Sequence, residues 1–72
     1  MNKKNKIKIV VNGSLLTVNI KFSIKNLIEK LKTPINKVAI ELNGEIIDKK
    51  KFSKIYLKKN DTVEIVHFIG GG

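Results

Sequence analysis

Cysteine, tryptophan and arginine are absent from this 72-residue chain, and proline and histidine occur once each. The lack of cysteine excludes disulfides, a thiolate nucleophile and thiolate metal sites. No segment is long and apolar enough to cross a bilayer, and Lys8 interrupts the apolar run that a signal peptide would need after the basic start. We therefore expect one soluble, cytoplasmic domain over residues 1–72, too small to enclose a deep catalytic cleft.

Positive charge dominates the composition, with a formal net charge of +9 and a pI near 10. Such an excess can indicate nucleic acid, an anionic membrane surface or an acidic protein as partner. All fifteen basic residues are lysines spread along the chain, and the few aromatic residues form no stacking platform. An acidic protein partner is favoured, and a small basic nucleic-acid-binding module is kept as an alternative.

The first half of the chain predicts a hairpin followed by a helix. Alternating apolar residues over 7–11 and 16–22 flank Asn12-Gly13, a dipeptide that accepts the positive φ angles of a type I′ turn. Ser23 can cap a helix of nine or ten residues, which Pro34 ends by biasing Thr33 away from helical angles. Its apolar stripe has helical spacing and would lie across the hairpin: Ile24, Leu27, Ile28 and Leu31.

The second half predicts three more strands. Residues 38–42 alternate up to a second turn at Asn43-Gly44, residues 45–47 return, and a charged loop held by Phe52 follows. The last strand covers Thr62 to Phe68. The order β-β-α-β-β-β is that of an α+β, β-grasp (ubiquitin-like) fold, a mixed sheet with one helix packed across it and the last strand parallel to the first in the centre.

The chain ends on three glycines, and this tail is the candidate functional element. Glycine has no Cβ and can enter a slot that is too narrow for other residues. Residues 70–72 reach about 10 Å at roughly 3.3 to 3.6 Å each, enough to carry a carboxylate into a partner's active site. We predict that residues 69–72 form a flexible tail, with Gly72 reactive and Gly70 and Gly71 providing clearance.

The residues before the tail predict a docking surface. Period 2 places Val63 and Ile65 under the helix, and it places Glu64, Val66 and Phe68 on the open face of the sheet. Exposed apolar side chains beside a reactive end are typical of a surface that binds a partner. Val66, Phe68 and Ile69 are therefore the predicted docking residues.

The segments Val38–Ile47 and Asn60–Gly72, with Phe52 and Leu57 between them, resemble the sulfur carrier protein family of bacterial thiamin biosynthesis. The resemblance is specific over the second half of the chain. It implies that a ubiquitin-activating-enzyme-like adenylyltransferase uses ATP and magnesium to adenylate Gly72. A cysteine desulfurase or another persulfide donor would then supply the sulfur of a C-terminal thiocarboxylate, which thiazole synthase would receive. The resemblance implies a co-substrate with no bound cofactor, not an enzyme. A carrier that must visit several enzymes is expected to be a monomer.

Other assignments carry less support from the residues. His67 could be a general base because of its pKa range, but period 2 places it on the helix side at the end of the sheet. Glu41, Glu45 and Asp48 lack the spacing of a metal site, and no nucleophile and base form a pair. A carrier for molybdopterin synthesis or a ubiquitin-like protein modifier would share the glycine end, and both stay open as alternatives.

Overall fold

A computed structural model describes residues 5–68, and it contains the predicted order of elements. Two 3₁₀ turns, Ile35–Lys37 and Lys49–Lys51, accompany the regular elements. The strands and the helix are β1 (Lys6–Val11), β2 (Ser14–Asn19), α1 (Ile24–Lys30), β3 (Val38–Leu42), β4 (Glu45–Ile46) and β5 (Thr62–His67).

The described strands form one five-stranded mixed sheet in the order β2-β1-β5-β3-β4. The last strand lies in the centre, parallel to β1 through Val10 opposite Thr62 and antiparallel to β3 through Ile40 opposite Ile65. This topology confirms the predicted β-grasp fold. It places the strand that leads to the glycines between two neighbours.

Both Asn-Gly turns have the predicted conformation. Asn12 and Gly13 have φ angles of 48° and 85°, and Asn43 and Gly44 have 53° and 88°. Two successive positive φ angles define the type I′ turn, whose twist matches that of the flanking strands. The first turn sets the register of β1 on β2, with Val11 opposite Ser14.

The hydrophobic core lies between the sheet and α1. Val63 and Ile65 of β5 are buried there as predicted. Phe52, which directly follows the 3₁₀ turn Lys49–Lys51, is also buried. Each large apolar side chain that is fully buried contributes roughly 1.5–3 kcal/mol. The largest fully buried side chains come from β1, α1, β3 and β5: Ile9, Ile24, Leu27, Ile40 and Val63.

The helix begins where predicted but ends earlier. Ser23 and Asn26 form a reciprocal capping box, in which Ser23 Oγ accepts from Asn26 N at 3.0 Å and Asn26 Oδ1 accepts from Ser23 N at 3.0 Å. The helix has seven residues because Leu31 has ψ near 0° as its C-cap and Lys32 follows with a φ of 55°. Leu31, predicted as the fourth buried residue of the stripe, is therefore 40% exposed. No helix within residues 5–68 is long and apolar enough to cross a membrane.

Three strand ends also differ from the sequence prediction. β2 stops at Asn19, because the chain turns at Lys21 with a φ of 61°, and this leaves Ile20 partly exposed. β4 ends at Ile46 and β5 ends at His67, each one residue before the predicted end.

Candidate functional site

The central strand β5 presents alternate residues to the two faces of the sheet. Val63 and Ile65 face the core, whereas Thr62, Glu64 and Val66 are exposed on the opposite face. This alternation follows from the extended backbone, in which successive side chains point to opposite sides. The open face next to the C-terminal end of β5 is therefore built by the residues that the sequence predicted there.

Backbone and side-chain hydrogen bonds hold β5 as far as Ile65 on its β1 edge and as far as Phe68, the last described residue, on its β3 edge. On the β1 edge, Asn12 N donates to Val63 O at 2.9 Å, and the Asn12 side chain then pairs with the backbone of Ile65. On the β3 edge, Phe68 N donates to Lys37 O at 2.8 Å. The chain is thus fixed in direction up to Phe68, one residue before Ile69.

An exposed apolar area surrounds this exit point. Val66 and Phe68 are 52% and 51% exposed. Ala39 lies opposite Val66 in the antiparallel register of β3 and β5. Side chains at directly opposite positions lie about 4.5–5.5 Å apart, so Ala39 and Val66 form a continuous apolar surface.

A cavity of about 250 Å³ opens beside Phe68. Its polar members, Asn36 and Lys49, are joined by a hydrogen bond of 2.8 Å from Lys49 Nζ to Asn36 Oδ1. The cavity could accept an apolar side chain of a partner, since most of its lining is apolar: Ile35, Val38, Ala39, Ile47, Phe52 and Phe68.

Two carboxylates lie on the same open face. Glu41 of β3 is directly opposite Glu64 of β5 and also opposite Ile46 of β4. Glu64 is exposed and Glu41 is half-buried. Two of the six acidic residues of a strongly basic chain are thus neighbours beside the apolar area.

The structure places some of the predicted site residues, and others lie outside the residues that it describes. Val66 lies on the open face as expected, Phe68 is half exposed directly after the end of β5, and whether they bind a partner stays a prediction. Ile69, Gly70, Gly71 and Gly72 lie outside the described residues. His67 is exposed at the end of β5, opposite Val38. Within residues 5–68, no group of His, Cys, Asp or Glu could hold a metal ion.

Several residues of this face were missed by the sequence prediction. Ile35, Ile47 and Lys49 join the cavity through irregular segments, and no periodic pattern marks such positions. The pairing of Glu41 with Glu64 depends on the register between two strands separated by about twenty residues. The alternation of each strand gives its faces but does not give that register.

The model of the ThiS family matches residues 9–72, which is most of the chain and includes the three glycines. The chain belongs to the ThiS family. The match begins in β1 and covers all of the later elements.

Solved and curated relatives agree with this assignment. A crystal structure of the thiamine biosynthesis protein ThiS from Geobacter metallireducens superposes with a TM-score of 0.80 at 33% identity, covering 92% of this chain and all of that one. The sulfur carrier protein ThiS of Bacillus subtilis is 49% identical over 35 residues, 49% of this chain and 53% of that protein.

A third relative is much longer than this chain. The thiazole synthase of Paramagnetospirillum magneticum is 35% identical over 66 residues, which are 92% of this chain but 20% of that protein. The chain therefore spans about a fifth of the length of this relative, and about half the length of the Bacillus subtilis protein.

Proposed function

We propose that the chain is a sulfur carrier of thiamin biosynthesis, which donates sulfur from its C-terminal glycine for the thiazole ring. The observation that carries this proposal is the family match over residues 9–72, together with the central position of β5, the last strand before the glycines in the sequence. A strand held on both edges up to Ile65, and on the β3 edge up to Phe68, gives the following residues a defined point of departure. The similarity to the sulfur carrier protein ThiS of Bacillus subtilis supports the same role.

The first chemical step is activation of the Gly72 carboxylate, which is a poor electrophile. One carboxylate oxygen attacks the α-phosphorus of ATP and displaces pyrophosphate, and the product is an acyl adenylate with AMP as leaving group. A ubiquitin-activating-enzyme-like adenylyltransferase, using magnesium, supplies this reaction. The carrier contributes its tail and its open face, and it acts as a co-substrate instead of an enzyme.

The second step replaces AMP by sulfur. The terminal sulfur of a persulfide, derived from cysteine, attacks the acyl carbon and expels AMP. A second thiol then attacks the donor's sulfur, so that a disulfide forms on the donor and the carrier leaves as a thiocarboxylate. Reduction of the transferred sulfur to the level of a thiocarboxylate is balanced by oxidation of the second thiol, whose sulfur becomes part of the disulfide.

The sulfur acceptor in this proposal is thiazole synthase. A stretch similar to this chain forms part of the thiazole synthase of Paramagnetospirillum magneticum, which supports association of the two kinds of domain. The open face with Val66 and Phe68 is the proposed contact, because these exposed residues directly precede, in the sequence, the glycines that must enter the acceptor. Burial of its apolar area would provide the affinity.

Intact mass spectrometry tests the carrier role. The full chain and a chain lacking Gly72 are incubated with extract of the source organism, ATP, magnesium and cysteine. Exchange of oxygen for sulfur at one carboxylate adds about 16 Da, and this gain should be confined to the full chain. No gain in an extract that loads a known carrier would overturn the proposal.

A further inference from the structure

The acidic residues of this chain are few, and two of them have clear local roles. Asp48 Oδ1 accepts from Lys50 N at 2.9 Å and caps the 3₁₀ turn. Asp61 accepts from Lys58 N at 2.7 Å and from Asn43 Nδ2 at 3.0 Å in the turn before β5. These carboxylates stabilise turns of the fold.

Glu41 and Glu64 have no such role. They lie directly opposite each other in β3 and β5, and neither carboxylate takes part in the side-chain hydrogen bonds recorded among residues 5–68. Like charges at opposite positions of a sheet are destabilising. The fold therefore gives neither carboxylate a hydrogen-bond partner within the described residues, although the register places the two side by side.

Apolar residues flank this pair on the same face. Val66 is the next outward residue of β5 and is 52% exposed, and Ile46 of β4, opposite Glu41, is 72% exposed. A partner that covers these side chains also removes water from the two carboxylates. Burial of uncompensated charge is strongly unfavourable, so the covering surface must supply a cation.

We infer that the Glu41–Glu64 pair receives an arginine side chain of thiazole synthase when the open face docks. A guanidinium has five donors in a planar fork and can bind two carboxylates at once, which the single ammonium of lysine matches less well. This inference rests on the proposed function, in which thiazole synthase is the acceptor. To that function it adds the group on the partner, an arginine, and the place where this group binds, between Glu41 and Glu64.

An arginine bound between the two carboxylates would change affinity in the opposite direction from the net charge alone. If general attraction between a chain of charge +9 and an acidic partner governed docking, removal of any carboxylate would raise the positive charge and tighten binding. If an arginine binds between Glu41 and Glu64, removal of either carboxylate weakens binding. The sign of the change therefore separates the two explanations.

The experiment measures the Kd of the full chain for thiazole synthase of the same organism by calorimetry at low and moderate salt. Glu41→Gln, Glu64→Gln and the double variant are compared with Glu29→Gln. Glu29 is the matched control, because it is exposed on α1, across the sheet from the pair. Each variant of the pair should have a Tm equal to or above that of the parent chain in thermal unfolding, because a like-charge contact is removed.

We expect each variant of the pair to bind about 10-fold more weakly, and Glu29→Gln to bind within twofold of the parent or more tightly. Equal or tighter binding by Glu41→Gln and Glu64→Gln would overturn the inference. Absence of binding by the parent chain would also overturn it, together with the proposed acceptor. The carrier role is judged separately by the mass gain at Gly72, so the two failures are distinguishable.

Discussion

The side-chain amide of Asn12 pairs with the backbone of Ile65, 53 residues further along the chain. Asn12 Oδ1 accepts from Ile65 N at 2.7 Å, and Asn12 Nδ2 lies 3.4 Å from Ile65 O. β1 turns away at this point, and its backbone pairing with β5 ends at Val11 opposite Val63. One side chain thus extends the parallel ladder and connects the first turn to the strand that leads to the tail.

Asn12→Gly should lower the free energy of unfolding by about 1–2 kcal/mol, because it leaves the backbone of the buried Ile65 without its partner. Glycine keeps the turn, since the φ of 48° at this position suits it. Urea unfolding measures the change, and hydrogen exchange should be faster at the Ile65 amide.

The matched control for Asn12 is Asn43→Gly in the second turn of the same type. Asn43 Oδ1 also accepts from β5, at 2.8 Å from Thr62 N, but this contact is exposed to solvent. Its loss should cost less than that of the Asn12 contact, because water can replace it. Equal stability of Asn12→Gly and the parent chain would contradict the role of the Asn12 amide.

Ser23→Ala should reduce stability by about 1 kcal/mol through loss of the helix cap. Ser23 is 4% exposed, and its hydroxyl accepts from Asn26 N at the start of a helix of only seven residues. So short a helix depends on its cap and on packing. Thermal unfolding compares this variant with Ser53→Ala at an exposed position, which should be unchanged within about 0.5 kcal/mol. Equal effects of both substitutions would exclude a specific contribution of the cap.

Phe68→Ala should weaken binding to thiazole synthase about 10-fold or more, because an aromatic side chain at the centre of an interface contributes strongly to affinity. Stability should change little, since Phe68 is half exposed at the end of β5. Leu15→Ala is the control, because Leu15 lies opposite Val10 near the other end of the same face and is 72% exposed. Unchanged binding by Phe68→Ala would place the contact elsewhere on the sheet.

Local signals in the sequence predicted most of the fold. Asn12-Gly13 and Asn43-Gly44 specify their turns through φ angles that few other residues accept, and both turns have the expected conformation. The stripe Ile24, Leu27 and Ile28 is buried as its spacing predicts. The end of the helix was missed because it depends on Lys32, a residue type that does not signal a positive φ.

The candidate site was predicted only in part, because much of it depends on contacts between distant segments. Alternation along β5 gave the exposure of Val66 and Phe68. It could not give the register that places Glu41 opposite Glu64, nor the cavity to which Lys49 contributes from a 3₁₀ turn. Those features arise from tertiary packing, and a sequence pattern of period 2 or 3.6 carries no information on them.

Gly71→Val tests the tail separately from the fold. A valine side chain at the penultimate position should block entry into a narrow active site, so we expect loss of the mass gain of about 16 Da at Gly72. Stability in urea should match that of the parent chain, because residue 71 follows the last strand of the sheet. Gly44→Ala should have the opposite effects. The added Cβ would meet no atom within 4 Å, but a φ of +88° is strained for alanine, so stability should fall by about 1 kcal/mol. The mass gain at Gly72 should remain. Normal thiocarboxylate formation by Gly71→Val would show that the tail needs no clearance at this position.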